Sequence, residues 1–352
     1  MKSNREALVI LSPGFPKNEA DSNCIPSLQV FVKALKEVCP GLNIIILTFQ
    51  YPFAAGAYHW HGRKVISLGG SNKGGVYRLV TWLKAWRVLG KLNEKYHLIG
   101  ILSFWLGECA LVGNYFARRH SLSHYCWLQG QDAKKGNKYF KWIRPKANTL
   151  IALSDFLAWE FKTNYSIQPL YVIPSGIDTS LFGKAPVKRD IDVLGAGSLI
   201  PLKQFNLFIE AISFLKEFFP EINAVICGSG PEVERLQGLA IALNVEKNIT
   251  FTGELPHTNV LALMQRSKIF LHPSNYEGFS TALSEALYAG CHVVSFCRPM
   301  NNSFRNHYVI ANTTEMFSAV LSVLKNKSRK HEPVLTCPVQ QTAKNVVNVF
   351  VG

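Results

Sequence analysis

Short apolar segments alternate with amphipathic ones along nearly the whole chain, and this alternation restricts the fold more than any single motif does. EALVILS reads as a strand, PSLQVFVKALKEVC as a helix with one apolar face, and NIIILTF as a second strand. GVYRLVTWLKAWRVLGKLNEKY is a long helix, LIGILSF a strand, ECALVGNYFARRH a helix and HYCWLQG a strand; TLIALS, DFLAWEFKTNY and LYVIPSG continue the rhythm. The low-hydrophobicity stretch GKAPVKRD, about 183–190, reads as a linker. The pattern then restarts with DVLGAGS, FNLFIEAISFLKEFF, NAVICGSG, PEVERLQGLAIALN, ITFTG, HTNVLALMQRS, KIFLHPS and HVVSF. Strands alternating with helices predict parallel sheets with helices on both faces. Two such runs in 352 residues, too many for one ordinary core, predict an α/β protein of two doubly wound, Rossmann-like domains facing a central cleft. The expected boundaries are 1–183, 184–335, and a C-terminal helix in 336–352 that packs back on the first domain. Ligands of such sheets bind at the carboxyl ends of the strands, so the cleft is the default site.

Composition removes several alternatives. The eight cysteines, Cys24, Cys39, Cys109, Cys126, Cys227, Cys291, Cys297 and Cys337, form no CxxC pair and no His/Cys cluster. They read as reduced thiols of a cytoplasmic protein, with no zinc site. The DID at 190–192 imitates a metal-binding D-x-D, but it stands where the linker enters a strand, and no metal is expected. The N-terminal apolar run is only a strand long and leads into a Pro/Gly turn, so it does not read as a secretion signal. Residues 97–117 approach membrane-spanning length, yet they hold Glu108 and split into a strand and a buried helix.

Charge is uneven. Residues 1–176 carry 22 Lys/Arg against 9 Asp/Glu, whereas 177–352 carry 16 against 14. The basic field of the first half attracts phosphates in some form: nucleic acid, anionic lipid or an acidic substrate. No nucleic-acid-binding motif accompanies it. The long helix carries Arg78, Lys84, Arg87, Lys91 and Lys95, while Leu79, Trp82, Leu83, Trp86 and Leu89 recur at helical spacing; one face is expected in the core, with the cations and a tryptophan outside it. A second basic stretch, KKGNKYFKWIRPK (134–146), mixes cations with aromatics. The pattern suits docking at an anionic membrane surface, and equally a solvated basic face.

In NYEGFSTALSEALYAG (275–290), Glu277 precedes Gly278 in a loop and Glu285 follows eight positions later, in a helix capped by Ser280 or Thr281 and ended by Gly290. The N–H groups of Phe279, Ser280 and Thr281 make a phosphate site at the helix N-terminus. Two acids flanking a phosphate suit a nucleotide sugar, with ribose and sugar hydroxyls on either side. The other reading is that acids favour a helix start.

E-x7-E between a strand ending HPS and a helix ending AG resembles the GT-B retaining glycosyltransferases of the family 4 type. IPSGID (173–178), DVLGAGSLIPLKQFNLFIEAISFLK, VICGSGPEVERLQGLA and ITFTGEL resemble further segments of that family in the same order, most clearly over 148–300. The resemblance implies a nucleotide-sugar donor, UDP- or GDP-linked, and a saccharide or lipid-linked acceptor, with no cofactor. Glu285 would bind the ribose and Glu277 the donor sugar. The N–H groups at Phe279 and Ser280 would hold the distal phosphate, and Lys203 would neutralise the departing diphosphate. Gly14 would approach the phosphates from the first domain, and the base would lie near 252–257.

Two positions depart from the family. Ser198 follows Gly197 where an arginine is usual, which removes a phosphate contact or shifts it to Lys203. Gln129 stands where a histidine usually ends a strand, and glutamine takes up no proton near neutral pH. Asp132 reads as a cleft residue or a turn residue, and His120 and His124 as structural. The expectation is an enzyme of polysaccharide or glycolipid assembly at the inner membrane face. The alternatives are an impaired nucleotide-binding scaffold, or a nucleotide-sugar epimerase on the same fold.

Overall fold

The computed structural model describes residues 5–183 and 187–351. Part of the expected linker, 184–186, lies outside the described residues. The chain divides into two compact units, Met1–Gly176 with Val339–Gly352, and Ile177–Pro338.

The first unit contains, in order, β1 (Glu6–Gly14), α1 (Pro26–Val38), β2 (Asn43–Tyr51), β3 (Gly56–Trp60), β4 (Arg63–Ser67), α2 (Val76–Lys95), β5 (His97–Phe104), α3 (Glu108–His120), β6 (His124–Leu128), α4 (Lys138–Ile143), β7 (Leu150–Ala152), α5 (Asp155–Tyr165) and β8 (Tyr171–Val172). The second contains β9 (Ile191–Ala196), α6 (Phe205–Lys216), β10 (Ala224–Cys227), α7 (Val233–Ala242), β11 (Ile249–Gly253), α8 (His257–Arg266), β12 (Ser267–His272), α9 (Thr281–Tyr288), β13 (His292–Ser295), β14 (His307–Val309) and α10 (Thr313–Lys325). α11 (Val339–Val351) belongs to the first unit, where it packs against α1, and Phe350 meets Tyr125 edge-on at 4.8 Å.

The first sheet runs β3-β4-β2-β1-β5-β6-β7-β8 and the second β11-β10-β9-β12-β13-β14. Every pairing is parallel except β3 with β4. Each sheet winds outward from its first strand, then crosses back to that strand's other side. The reversal falls between β1 and β5 in one unit and between β9 and β12 in the other, the point at which open sheets of this kind bind ligands beyond their strand ends.

Burial explains the near-continuous apolar strands. In the second unit Val193, Ile226, Ile269 and Val294 pack with α6, α7 and α10 on one face. Their neighbours Leu194, Val225, Phe270 and Val293 pack with α8 and α9 on the other. A strand covered on both sides has no polar face to show.

Four elements escape the alternation pattern: the β3–β4 hairpin, α4, β14 and α10. The hairpin turns at His61 (φ 44°) and Gly62 (φ 73°), a two-residue loop with both central residues left-handed. The expected core face of α2 is also corrected. Thr81, Ala85, Leu89 and Leu92 are its buried residues, while Leu79, Leu83 and Trp86 are exposed. Small Ala85 brings the helix close to its support, and the larger apolar stripe is turned aside.

Candidate active site

Two loops leave the carboxyl ends of β9 and β12, at the reversal of the second sheet. β9 ends at Ala196, and the chain passes Gly197 and Ser198 into a short helical turn, Pro201–Lys203. The neighbouring β10 loop lies flat against this segment. A Cβ on Gly228 would stand 1.9 Å from the Gly197 carbonyl oxygen, and one on Gly230 would stand 2.4 Å from that of Leu199. Their φ values of +144° and +159° strain any side chain as well. Only glycine fits at either point.

The β12 loop, 273–279, is stitched to that turn. Asn275 N–H donates to the Leu202 carbonyl at 3.0 Å, and Ser274 Oγ donates to the same oxygen at 3.3 Å. The stitch sets Lys203 against Glu277, whose Oε1 accepts from the ammonium. His272 Nε2 lies 3.1 Å from the same oxygen. The side chains of Lys203 and Glu277 stay 21% and 15% exposed, so a ligand can reach a pair that is largely shielded from water.

Burial alone would raise the Glu277 carboxyl. The hydrogen bond and charge of His272, followed by Lys203, outweigh it and hold the group at about 2. A carboxyl depressed by folding adds stability above its unfolded value, and that stability is lost as pH falls through the folded value. The expected window runs from 4.5 down to about 2. Urea midpoints should fall across it more steeply in the wild type than in Glu277→Gln. Equal slopes would show that the ion pair contributes nothing to folding.

Cys297 is the third wall. Its Sγ donates to the Ser274 carbonyl at 3.3 Å. Burial, with the charge of Glu277, pushes the thiol up to about 12, so it is no nucleophile.

α9 begins at its N-cap Ser280, whose Oγ accepts from Leu283 N–H at 3.3 Å. Gly278, Phe279 and Ser280 are buried. First-turn N–H groups have no partner within their helix, and those of α9 stand just beyond the carboxyl end of β12. One turn further in, Glu285 Oε1 lies 2.8 Å from Nε2 of His257, the first residue of α8. His257 closes the stretch 252–257 where the base is expected from the sequence. Ser198 is exposed at the edge of this group, with its carbonyl accepting from Ile200 N–H at 3.0 Å.

The structure thus gathers Lys203, Glu277, Glu285, Gly278, Phe279, Ser280 and Ser198 at one sheet edge. It adds His257 and His272, which sequence reasoning missed. His257 lies 28 positions from its partner carboxylate, and no spacing rule connects them.

Gly14 and Gln129 belong to the first unit, at the carboxyl ends of β1 and β6. Gln129 Nε2 donates to the Trp127 carbonyl at 3.2 Å, folding back on its own strand. Asp132 is a turn residue: its carboxylate accepts from the N–H groups of Leu106 (2.8 Å), Gln129 (3.0 Å) and Gly130 (2.7 Å). His124 is buried against Ser103 Oγ at 2.9 Å and pushed down to about 3 by that burial, so it stays neutral and structural. His120 stacks on Phe116 with ring centroids 4.3 Å apart.

Two more residues at this edge escaped the sequence. Trp105, just after β5, holds φ 64°, a strained setting for an aromatic residue that is fixed by its N–H on the Trp127 carbonyl at 3.0 Å. The Glu108 carboxylate accepts from Gln50 Nε2 at 2.5 Å and from Trp82 Nε1 at 2.9 Å, with Arg78 Nε 3.7 Å away.

Both units resemble known proteins. Residues 177–332 match the family model described as glycosyl transferases group 1, and residues 29–181 match that of glycosyltransferase family 4. The chain is 28% identical over 164 residues to the gpi3 subunit of phosphatidylinositol N-acetylglucosaminyltransferase from Schizosaccharomyces pombe, covering 45% of this chain and 36% of that one. It is 32% identical over 145 residues to an uncharacterized glycosyltransferase of Haemophilus influenzae, covering 40% and 38%. The matches therefore span well under half the length of either relative.

Among solved structures, sucrose-phosphate synthase of Thermosynechococcus elongatus superposes with a TM-score of 0.71 at 15% identity, over 99% of this chain and 97% of that one. Anabaena HepE in complex with UDP and glucose gives 0.70 at 15% identity, over 98% and 97%. At such identity the likeness is one of fold.

Proposed function

Because this chain belongs to the group 1 glycosyltransferases of GT-B fold, we propose that it moves a sugar from a UDP- or GDP-linked donor to a glycolipid or polysaccharide-precursor acceptor, with retention of configuration. The observation that carries this reading is the cluster at the reversal of the second sheet: Lys203 on Glu277, the start of α9, and Glu285 one turn in. In this reading Glu285 accepts from the ribose hydroxyls and Glu277 from the donor sugar. The N–H groups of Phe279 and Ser280 hold the distal phosphate. Lys203 neutralises the negative charge that grows on the leaving diphosphate, the point at which a fixed cation acts most strongly. The glycosidic bond to that phosphate breaks, the acceptor oxygen bonds to the anomeric carbon, and the acceptor proton passes to the leaving phosphate oxygen. No side-chain base is then required, and Gln129 is tolerated as a hydrogen-bonding residue. We assign the acceptor to the carboxyl edge of the first sheet, around Trp105 and Glu108.

A structural neighbour supports donor chemistry of this kind, since it is a complex with UDP and glucose. The backward-folded amide of Gln129 and the absence of an arginine at Ser198 favour one rival, a nucleotide-binding scaffold without turnover. Thermal unfolding with UDP, GDP and their sugars, without added metal, tests the donor site. One nucleotide class at a hundred times its Kd should stabilise the protein by about 2.7 kcal/mol. No shift with any of them sinks the proposal. A shift without sugar transfer to any lipid or saccharide acceptor favours the scaffold.

A further inference from the structure

α2 carries three stripes, set by its turn of about 100° per residue. Thr81, Ala85, Leu89 and Leu92 face the core. Lys84, Arg87, Lys91 and Lys95 form an exposed cationic stripe. Between these, Leu79, Trp82, Leu83 and Trp86 line an apolar groove of about 700 Å³, whose other wall includes Tyr115 of α3 and Trp142 of α4. Leu79 is 52% exposed, Leu83 58%, Trp86 37%, and Tyr115 and Trp142 each 48%.

Single apolar residues on a surface are ordinary, but a contiguous aromatic and aliphatic patch marks a contact surface. This one is held in shape. Tyr115 Oη donates to the Trp142 carbonyl at 3.1 Å, Tyr139 meets the Trp142 ring edge-on at 5.6 Å, and Trp86 meets buried Phe116 edge-on at 5.1 Å. The rim is cationic. α2, α3 and α4 together carry nine lysines and arginines against two glutamates. One of those, Glu108, is turned inward onto Gln50 and Trp82. Arg118, Arg119, Lys138 and Lys141 are exposed around the groove's far wall.

An apolar floor with tryptophan and tyrosine at its lip and cations around it matches an anionic bilayer. Acyl chains suit the floor, the boundary suits the amphipathic rings, and headgroup phosphates suit the rim. We propose that the α2–α3–α4 face docks the first unit on an anionic lipid bilayer, with acyl chains entering the groove and the surrounding cations resting on headgroup phosphates. The docking does not depend on the transferase reading. If that reading also holds, Trp82 links the two. Its ring lines the groove while its N–H donates to Glu108 at 2.9 Å, so the docking face adjoins the edge assigned to the acceptor.

The test uses the full chain with sedimentable vesicles of phosphatidylcholine, with and without phosphatidylglycerol, and with brominated acyl chains. Binding should require phosphatidylglycerol and weaken with added salt. Leu83→Asp should reduce partitioning by about tenfold or more. Brominated chains should quench tryptophan fluorescence, and much of that quenching should vanish in Trp86→Phe/Trp142→Phe. Trp142→Ser, on a different helix, gives the same reading if Leu83→Asp disturbs α2; circular dichroism checks the fold of each. Three results overturn the proposal. One is no binding to anionic vesicles by the folded protein. Another is binding that neither variant weakens. The third is a stable dimer in solution that Leu83→Asp dissolves and vesicles leave intact, which would make a second copy the occupant.

Discussion

Lys203→Met is expected to fold and to lose about 10²–10³-fold in kcat, the usual cost of removing one group that stabilises transition-state charge. The ammonium sits on a carboxylate whose pKa is already held at about 2, so in the resting protein it is neutralised by Glu277. In the proposed reaction, a second and stronger claim on that charge arises at the leaving phosphate as the sugar departs. Methionine keeps the unbranched apolar stem, one atom shorter, and removes the ammonium with its charge and its hydrogen bond to Glu277. Lys203→Arg is the control, since it restores the cation with a different shape. In the charge role, arginine should recover part of kcat and methionine none. A rise in KM alone, with kcat unchanged, would mean that Lys203 binds donor equally in ground and transition states. Unaltered kinetics in Lys203→Met would remove it from the chemistry. The stability of both variants should be measured in parallel, because the Glu277 carboxylate loses the ammonium and keeps His272.

Glu285→Ala is expected to weaken nucleotide binding by about 10²–10⁴-fold, because hydrogen bonds to a charged group are each worth about 1.5–3 kcal/mol and a ribose offers two hydroxyls. The thermal shift produced by the preferred nucleotide should disappear at the same concentration. The carboxylate is buried, and His257 at 2.8 Å fixes its orientation. A His257→Asn variant should therefore fall between wild type and Glu285→Ala. Retained binding in Glu285→Ala would show that the acid merely pairs with His257 and that the ribose, if bound at all, is held elsewhere.

The elements that carry the site were legible for a simple reason. Fully buried parallel strands cannot hide among polar residues, and Val193–Leu194, Val225–Ile226 and Phe270–Leu271 announce themselves. Elements with weaker patterns were passed over. The β3–β4 hairpin has one exposed face, α4 has six residues, and β14 has three, all too short for a period to emerge. Lys203 and Glu277 were each named from the chain, yet their contact rests on two hydrogen bonds to the Leu202 carbonyl that no residue identity predicts. His272 was visible only as part of a strand end. Asp132 was left between two roles until three backbone N–H groups showed which one it plays.

α2 marks the boundary most clearly. Its residues specify a helix and an apolar stripe, because spacing along one helix is a local property. Which stripe faces inward depends on the neighbours, since the core takes whatever packs most closely. Ala85 and Leu89 met the sheet and α3, and the larger Leu79–Leu83–Trp86 stripe was left outside. Local patterns suffice for two parallel α/β units, their strand ends and the two acids placed there, because buried strands, caps and glycine turns act over a few residues; Lys203 was marked only by the family resemblance. They do not say which of those groups touch, which acid caps a turn, or which apolar surface is left to meet a partner. Those outcomes come from packing between segments distant in the chain, and they exist only once the chain has folded.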